Sequence, residues 1–203
     1  MTHSMANHWW WRPGWRPGRR FYTWHITFAG ADDVHRLAAI YRQALAPVTG
    51  LDLIPDPGLH LTMQGLGFTD EVPAKDADAI VEAASAHLTS IPAFDLEIHR
   101  PQITPEAIRW EAQPSRPPAD LRAAIRSAIG DVWSEVPEQA DKFAPHISIA
   151  YSNADGPAAP AQAALHSVSP EPATARITAV ELIVLGRDRQ MYEWETHAHL
   201  PLA

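Results

Sequence analysis

The sequence predicts an α+β fold: two related lobes with mainly antiparallel sheets, helices on the outside and a central cleft. Three observations predict it. Short strand-like runs alternate with amphipathic helical runs, with no sustained βαβ pattern and no Gly-rich phosphate loop. The order strand, helix, strand, helix, two strands in the first half is nearly repeated as helix, strand, helix, two strands in the second. Each half also has a strand that carries a His-x-Thr or His-x-Ser tripeptide on its polar side.

Taken along the chain, the first element is an arm. Residues 9–20, "WWWRPGWRPGRR", hold a tandem Trp-Arg-Pro-Gly and four of the eight tryptophans. Pro and Gly forbid a regular helix there, so residues 1–19 are expected to form an arm ahead of a single bilobal domain over 20–203, its tryptophans covering apolar surface or, with one or two of the arginines, reaching the cleft to stack on bases of a substrate. "FYTWHITF" (21–28) alternates, with Tyr22, Trp24, Ile26 and Phe28 on one side and Thr23, His25 and Thr27 on the other: a half-buried strand. Asp32 and Asp33 start the helix "DDVHRLAAIYRQAL", acids at its N-terminus. After the turn "IPDPG" comes the strand "LHLTMQGLGF" (59–68), then the helix "AKDADAIVEAASAHLTSI". "AFDLEIHR" and "EAIRWEAQ" read as two strands joined through Pro101 and Pro105. The second half runs through the helix "ADLRAAIRSAIGDVW", the strand "HISIAYS" and the short helix "APAQAALHSV". A closing hairpin, "RITAVELIVLGRDRQMYEWETHAHL", turns at residues 186–190.

Composition removes several functions. No cysteine is present, which excludes disulfides, thiolate catalysis and Cys-ligated zinc. No apolar run approaches the ~20 residues of a membrane span, and no secretory h-region opens the chain; a cytoplasmic, monomeric protein is expected. Net charge is −8. Arg12, Arg16, Arg19 and Arg20 supply four of the 16 basic residues, and the other 12 face all 24 acids. A body this acidic repels a long phosphate backbone, which argues against bulk DNA or RNA binding and leaves a small phosphorylated substrate or a nucleic-acid end gripped locally.

His-x-Ser/Thr occurs four times, at His25, His60, His87 and His146. Residues i and i+2 of a strand share a face, so His60 with Thr62, and His146 with Ser148, each lie opposite an apolar face. In the repeat these two strands hold equivalent positions, and two lobes about a pseudo-two-fold axis bring them face to face. His87 and His166 end helices, where an imidazole suits the C-terminus. His25 touches substrate if its face lines the cleft and is otherwise a solvated strand residue. His197 and His199 lack a third ligand, so no metal and no cofactor is expected.

"GLHLTMQGLGF" and "FAPHISIAYS", with histidines 86 positions apart, resemble the two motifs of the two-histidine (2H) phosphoesterase superfamily, more narrowly the 2′-5′ RNA ligase/cyclic nucleotide phosphodiesterase family, over about residues 20–200. Many members carry an Arg shortly after the second motif, where this chain has Tyr151, as in a subset with a "YS" ending; the Trp-rich arm is not a general feature. The resemblance implies hydrolysis of a 2′,3′-cyclic phosphate, on a nucleotide or RNA end, to a phosphomonoester. His60 and His146 are the expected acid/base pair, and Thr62 and Ser148 the phosphate donors. His25, Gln64, Tyr151 and Arg19 are candidate substrate contacts. Alternatives are action on 2′-5′-linked or cyclic oligonucleotides, as phosphodiesterase or ligase, and a non-catalytic nucleotide-binding module.

Overall fold

The computed structural model describes residues 3–203. Its strands are β1 (Ser4–Met5), β2 (Phe21–Thr27), β3 (Leu51–Leu53), β4 (His60–Phe68), β5 (Phe94–Ile98), β6 (Gln102–Ile103), β7 (Ala107–Glu111), β8 (His146–Ser152), β9 (Gly156–Pro157), β10 (Ala173–Ile177), β11 (Ala179–Gly186) and β12 (Glu193–Pro201). Its helices are α1 (Asp32–Leu45), α2 (Ala74–Leu88), α3 (Arg116–Val132) and α4 (Ala159–His166). Strands β12-β11-β2-β4 form one four-stranded antiparallel sheet and β3-β8-β7-β6 a second; β1 pairs with β9, and β5 with β10. The predicted α+β class with antiparallel sheets is what the chain adopts.

The sequence halves do not map simply onto the two sheets. The first sheet combines β2 and β4 with the closing strands β11 and β12, while β8 of the second half joins β3, β6 and β7 of the first. Helices cross between them as well: α1 leaves β2 yet packs on β3, β8 and β10, and α3 leaves β7 yet packs on α2 and β4. α1 shows why it does so. Val34, Leu37, Ala38, Tyr41 and Leu45 recur at helical spacing and are all buried. β4 and β8 lie against each other where the sheets meet. Leu61 and Met63 of β4 and Ile147 and Ile149 of β8 are almost wholly buried, and this apolar backing holds the two strands that carry His60 and His146.

Two expected connections differ. No hairpin joins residues 94–98 to 107–111; β5 pairs instead with β10, burying Phe94, Leu96 and Ile98 beside Ala173, Ala175 and Ile177. β6, from the chain between them, pairs with β7 as a separate short hairpin, in which Thr104 N–H donates to the Ala107 carbonyl at 2.8 Å. The expected closing hairpin is present as β11–β12, but its first arm is not one strand: it leaves β10 at Thr178 and restarts as β11 in a different sheet. Strands β1, β3, β6 and β9, of two or three residues, are too short to carry a readable period.

The tandem Arg-Pro-Gly explains the arm's path. Trp15 N–H donates to the Arg12 carbonyl at 3.0 Å, and Arg19 N–H to the Arg16 carbonyl at 3.1 Å. Each closes a β-turn with proline at its second position and, at its third, Gly14 (φ 81°) or Gly18 (φ 79°). That is type II geometry, which needs positive φ at the third position. Before the turns, the His8 N–H donates to the Ser152 carbonyl, stitching the arm to the end of β8. The four tryptophans fare differently. Trp9 is buried, its indole N–H donating to Asp52 at 2.8 Å; Trp15 is half-buried against Phe21 and Phe68; Trp10 and Trp11 stay 48% exposed. Packing is thus the role of Trp9 and, in part, Trp15, and not of the run as a whole.

Trp9→Ala is expected to cost about 3 kcal/mol or more of stability, whereas Trp11→Ala costs under ~0.5 kcal/mol. Urea denaturation of both variants measures the difference; equal losses would contradict the packing described.

Candidate active site

Both motif strands are interrupted at the same place. In the pairing of β4 with β2, His25 stands opposite Thr62 and Trp24 opposite Gln64, leaving Met63 as an extra residue. In the pairing of β8 with β7, Arg109 stands opposite Ser148 and Ile108 opposite Ala150, leaving Ile149 extra. Each bulge falls one residue after the hydroxyl of the motif. A bulge shifts the side-chain alternation by one, and so decides which side chain enters the cleft after each motif.

After Ile149 the shift turns Tyr151 to the side of Ser148, and both line the cleft. After Met63 it removes Gln64. That side chain is fully buried behind the strand, donating to the carbonyls of Gly65 (2.9 Å) and Pro137 (2.8 Å) and accepting from Arg126 (2.9 Å). Gln64 therefore does not line the cleft as expected; it ties the loop carrying Glu138 against β4. Arg19 is also placed elsewhere. It lies over the Phe68 ring at 3.6 Å and is bound by Asp70 and Glu71 on the surface; these carboxylates were the partners available to an arginine just past the second turn.

The remaining candidates come together in one cleft of about 700 Å³: His25, His60, Thr62, His146, Ser148 and Tyr151. The two motif histidines are held alike. His60 Nδ1 lies 2.8 Å from the Gly58 carbonyl, and His146 Nδ1 lies 2.8 Å from the Ala144 carbonyl. A carbonyl only accepts, so in each ring Nδ1 carries the proton as donor and Nε2 presents its lone pair. Burial pushes His60 down to about 4, against the opposing effect of the Gly58 carbonyl. His146 is lowered by burial and by the Arg109 guanidinium, again against its carbonyl bond.

His25 lines the cleft and is no solvated residue: both faces of β2 between Tyr22 and Ile26 are buried, one by core and one by the cleft wall. Its ring stacks on that of His60 at 4.5 Å, nearly parallel, and Trp194 packs edge-on against both. His25 Nε2 is 3.1 Å from Thr62 Oγ1, while its buried Nδ1 has no partner. A buried orphan N–H is rarer and costlier than an orphan lone pair. The proton accordingly sits on Nε2 and is donated to Thr62, leaving the Thr62 hydroxyl proton free for the cleft.

Sequence reasoning missed several lining residues. Arg109 interrupts an apolar strand between Ile108 and Trp110, a signal that was present. Glu106, Arg187 and Tyr192 also line the cleft, and nothing local in the sequence marks them, whereas Arg12, which lines it too, belongs to the arginine-rich arm that the sequence does mark. Outside the cleft, His87 binds Asp131 near the end of α2, His197 binds Asp78 and His199 binds Glu181. Among the described residues no three His, Cys, Asp or Glu side chains gather as metal ligands.

Paired His-x-Ser/Thr strands facing one cleft in an antiparallel α+β fold define a class, and comparison with known proteins gives the same class. The crystal structure of TT0787 of Thermus thermophilus matches 90% of this chain and 97% of its own, with 16% identity and a TM-score of 0.70. E. coli LigT complexed with 3′-AMP matches 91% of this chain and 99% of its own at 18% identity and a TM-score of 0.68. The PDE domain of MHV ns2 covers 82% of this chain and 99% of its own at 11% identity and a TM-score of 0.55. A sequence search of curated proteins gives no match. The 2′-5′ RNA ligase superfamily model matches residues 31–189, and the chain belongs to that superfamily.

The histidine environments make stability depend on pH. Below about 6.5 the unfolded chain takes protons that His60 and His8, both held at about 4, refuse when folded. Stability is therefore flat above pH 6.5 and falls between 6.5 and 4, with roughly 3 kcal/mol of the fall from His60. Denaturation at pH 7, 5.5 and 4.5 is expected to show a shallower fall for His60→Gln; parallel curves would refute the assignment.

Proposed function

We propose that this chain is a metal-independent phosphodiesterase that opens a 2′,3′-cyclic phosphate on a nucleotide or RNA end, giving a phosphomonoester. The observation that carries this reading is the matched tautomer of His60 and His146 in one cleft. Opening the ring needs a proton removed from water on one side of phosphorus and a proton given to the leaving ribose oxygen on the other. With Nδ1 committed to a carbonyl in both rings, Nε2 is the one exchangeable position of each. One imidazole takes the proton of the attacking water as the new P–O bond forms. The other, entering protonated, releases its proton to the ribose oxygen as the ring P–O bond breaks. Solvent exchange then restores the pair. Thr62 and Ser148 hydroxyls donate to the non-bridging oxygens, and Arg109 opposes their charge. Residues 20–203 form the catalytic unit in this reading, and residues 1–19 an arm that completes its cleft. No helix among the described residues is long and apolar enough to cross a membrane. The substrate class puts the reaction in the cytoplasm, where nucleotides and RNA ends arise.

His60→Ala and His146→Ala are each expected to lose ~10²–10⁴-fold in turnover, and the double variant to be little worse than the worse single, since both act in one step. A panel of 2′,3′-cyclic nucleotides, cyclic-phosphate-ended oligoribonucleotides and 2′-5′ dimers is the assay. Full activity in either single variant would sink the proposal, and hydrolysis confined to 2′-5′ dimers would shift it to that linkage.

The pH profile supplies a separate check. Catalysis needs one proton on the pair, and both imidazoles are lowered in the free cleft. kcat/KM is expected to peak below pH 6.5 and decline toward pH 8, while kcat, read with a phosphate anion bound, peaks higher. Activity is expected to survive EDTA; its loss on chelation, restored by a divalent ion, would contradict the mechanism.

A further inference from the structure

One cation in the cleft is unaccounted for by the chemistry above. Arg187, the first residue of the β11–β12 turn, lines the cleft and is only 3% exposed. Its Nη2 donates to two carbonyls of the arm, His8 and Trp10, both at 3.2 Å. Its buried Nη1 has no hydrogen-bond partner, and no carboxylate pairs with it among the described residues. The neighbouring arginine differs: Arg12 is paired with Glu106, whose other oxygen takes the Trp10 indole N–H. Four rings surround the Arg187 guanidinium, Trp9, Trp11, Trp15 and Tyr192, at 5.4 to 6.0 Å. Ring faces offset part of the charge, but they leave an N–H donor open. A buried donor without an acceptor costs free energy, and a buried charge more. The arm therefore holds in place a cation that lacks an anion.

That anion is not the reacting phosphate. Arg109 is the cation beside His146, across the strand pair from Ser148. The field of Arg187 falls on His8, Tyr151 and Tyr192 instead. Tyr192 stands between the two centres, its ring 6.0 Å from that of His60 and 5.8 Å from the Arg187 guanidinium. The same tyrosine shares a 2.9 Å hydrogen bond with His8 of the arm.

We infer that Arg187 anchors a second phosphate subsite at the arm end of the cleft, which takes a phosphate of the substrate other than the reacting one. Two sources share that chemistry: the 5′-phosphate of a mononucleotide and the next phosphodiester of an RNA end. The inference rests on the cyclic-phosphate reading and makes it more specific, since a substrate with a single phosphate would leave Arg187 unpaired. It also gives the arm a function, because the His8 and Trp10 carbonyls orient the guanidinium so that Nη1 is the free donor. Residues of the arm thereby enter substrate selection without touching the reacting atoms.

The test uses product-like ligands that are not turned over, so that it reads binding and not catalysis. Calorimetry on the intact chain compares adenosine 3′-monophosphate, adenosine 3′,5′-bisphosphate and the dinucleotide ApA bearing a 3′-phosphate. At least one of the two ligands with a second phosphate is expected to bind roughly 10- to 100-fold tighter than the monophosphate, the worth of a charge-assisted bond to a buried donor. A gain for the bisphosphate alone assigns the subsite to a 5′-phosphate, and a gain for the dinucleotide alone to an RNA end. Arg187→Gln is expected to bring the ratio close to one, and Arg187→Lys, should the glutamine variant fold poorly, to reduce it while keeping the charge. Equal affinities in the unaltered chain, or a ratio that survives in a folded variant, would overturn the subsite while leaving the cyclic-phosphate reading intact. Failure of all three ligands to bind would overturn both.

Discussion

A backbone carbonyl two residues before each motif histidine sets the chemistry of this cleft. Gly58 and Ala144 each take an Nδ1 proton at 2.8 Å. The bond fixes the tautomer and limits rotation of the ring, so that the opposite nitrogen of both imidazoles is the one left for proton exchange. It also partly counters burial, which otherwise drives both rings toward the neutral form. Because the acceptor is main chain, no second side chain is needed to orient either histidine. In the proposed reaction the remaining cleft side chains are thus available for phosphate and ribose.

The bulges at Met63 and Ile149 serve the same end. A regular strand of seven to nine residues presents every second side chain to one face, which would line the cleft with Gln64 and Ala150. By adding one residue just past each hydroxyl, the two strands keep His-x-Thr and His-x-Ser in the cleft and re-aim the next side chains. Tyr151 turns inward to meet the arm through His8, whose ring it stacks on at 4.1 Å. Gln64 turns outward to hold the loop that brings Glu138 to the rim. Arg122 of α3, almost fully buried, fixes the bulged segment by donating to the Met63 carbonyl at 2.8 Å and fastens the same loop through Ala140 at 2.9 Å. Backbone irregularity here is braced from both sides, as a site that must hold its geometry requires.

Much of this was legible beforehand. The four helices and the longer strands announced themselves by period, and His60, Thr62, His146 and Ser148 were set apart from the other His-x-Ser/Thr runs because their apolar-backed strands hold equivalent positions in the repeated order of elements. Gln64 and Arg19 were misplaced for two different reasons. For Gln64, strand alternation does not reveal a bulge, since the inserted methionine looks like any other apolar strand residue. Arg19 was drawn by Asp70 and Glu71, about fifty positions away in the chain, and a long-range ion pair leaves no local trace.

What the sequence by itself determined is local: where the chain turns, which segments alternate, and which two strands carry an imidazole and a hydroxyl on one face. The Pro-Gly turns of the arm belong to that category, because φ at proline and positive φ at glycine are properties of single residues. Tertiary structure decided the rest. It set which sheet each strand joined, exchanging β5 for β6 beside β7, and it placed the turn residue Arg187 against the carbonyls of His8 and Trp10. It also stacked His25 on His60. These are contacts between segments up to about 180 positions apart; their formation depends on how all the apolar faces can be buried at once, a condition that no window of sequence contains.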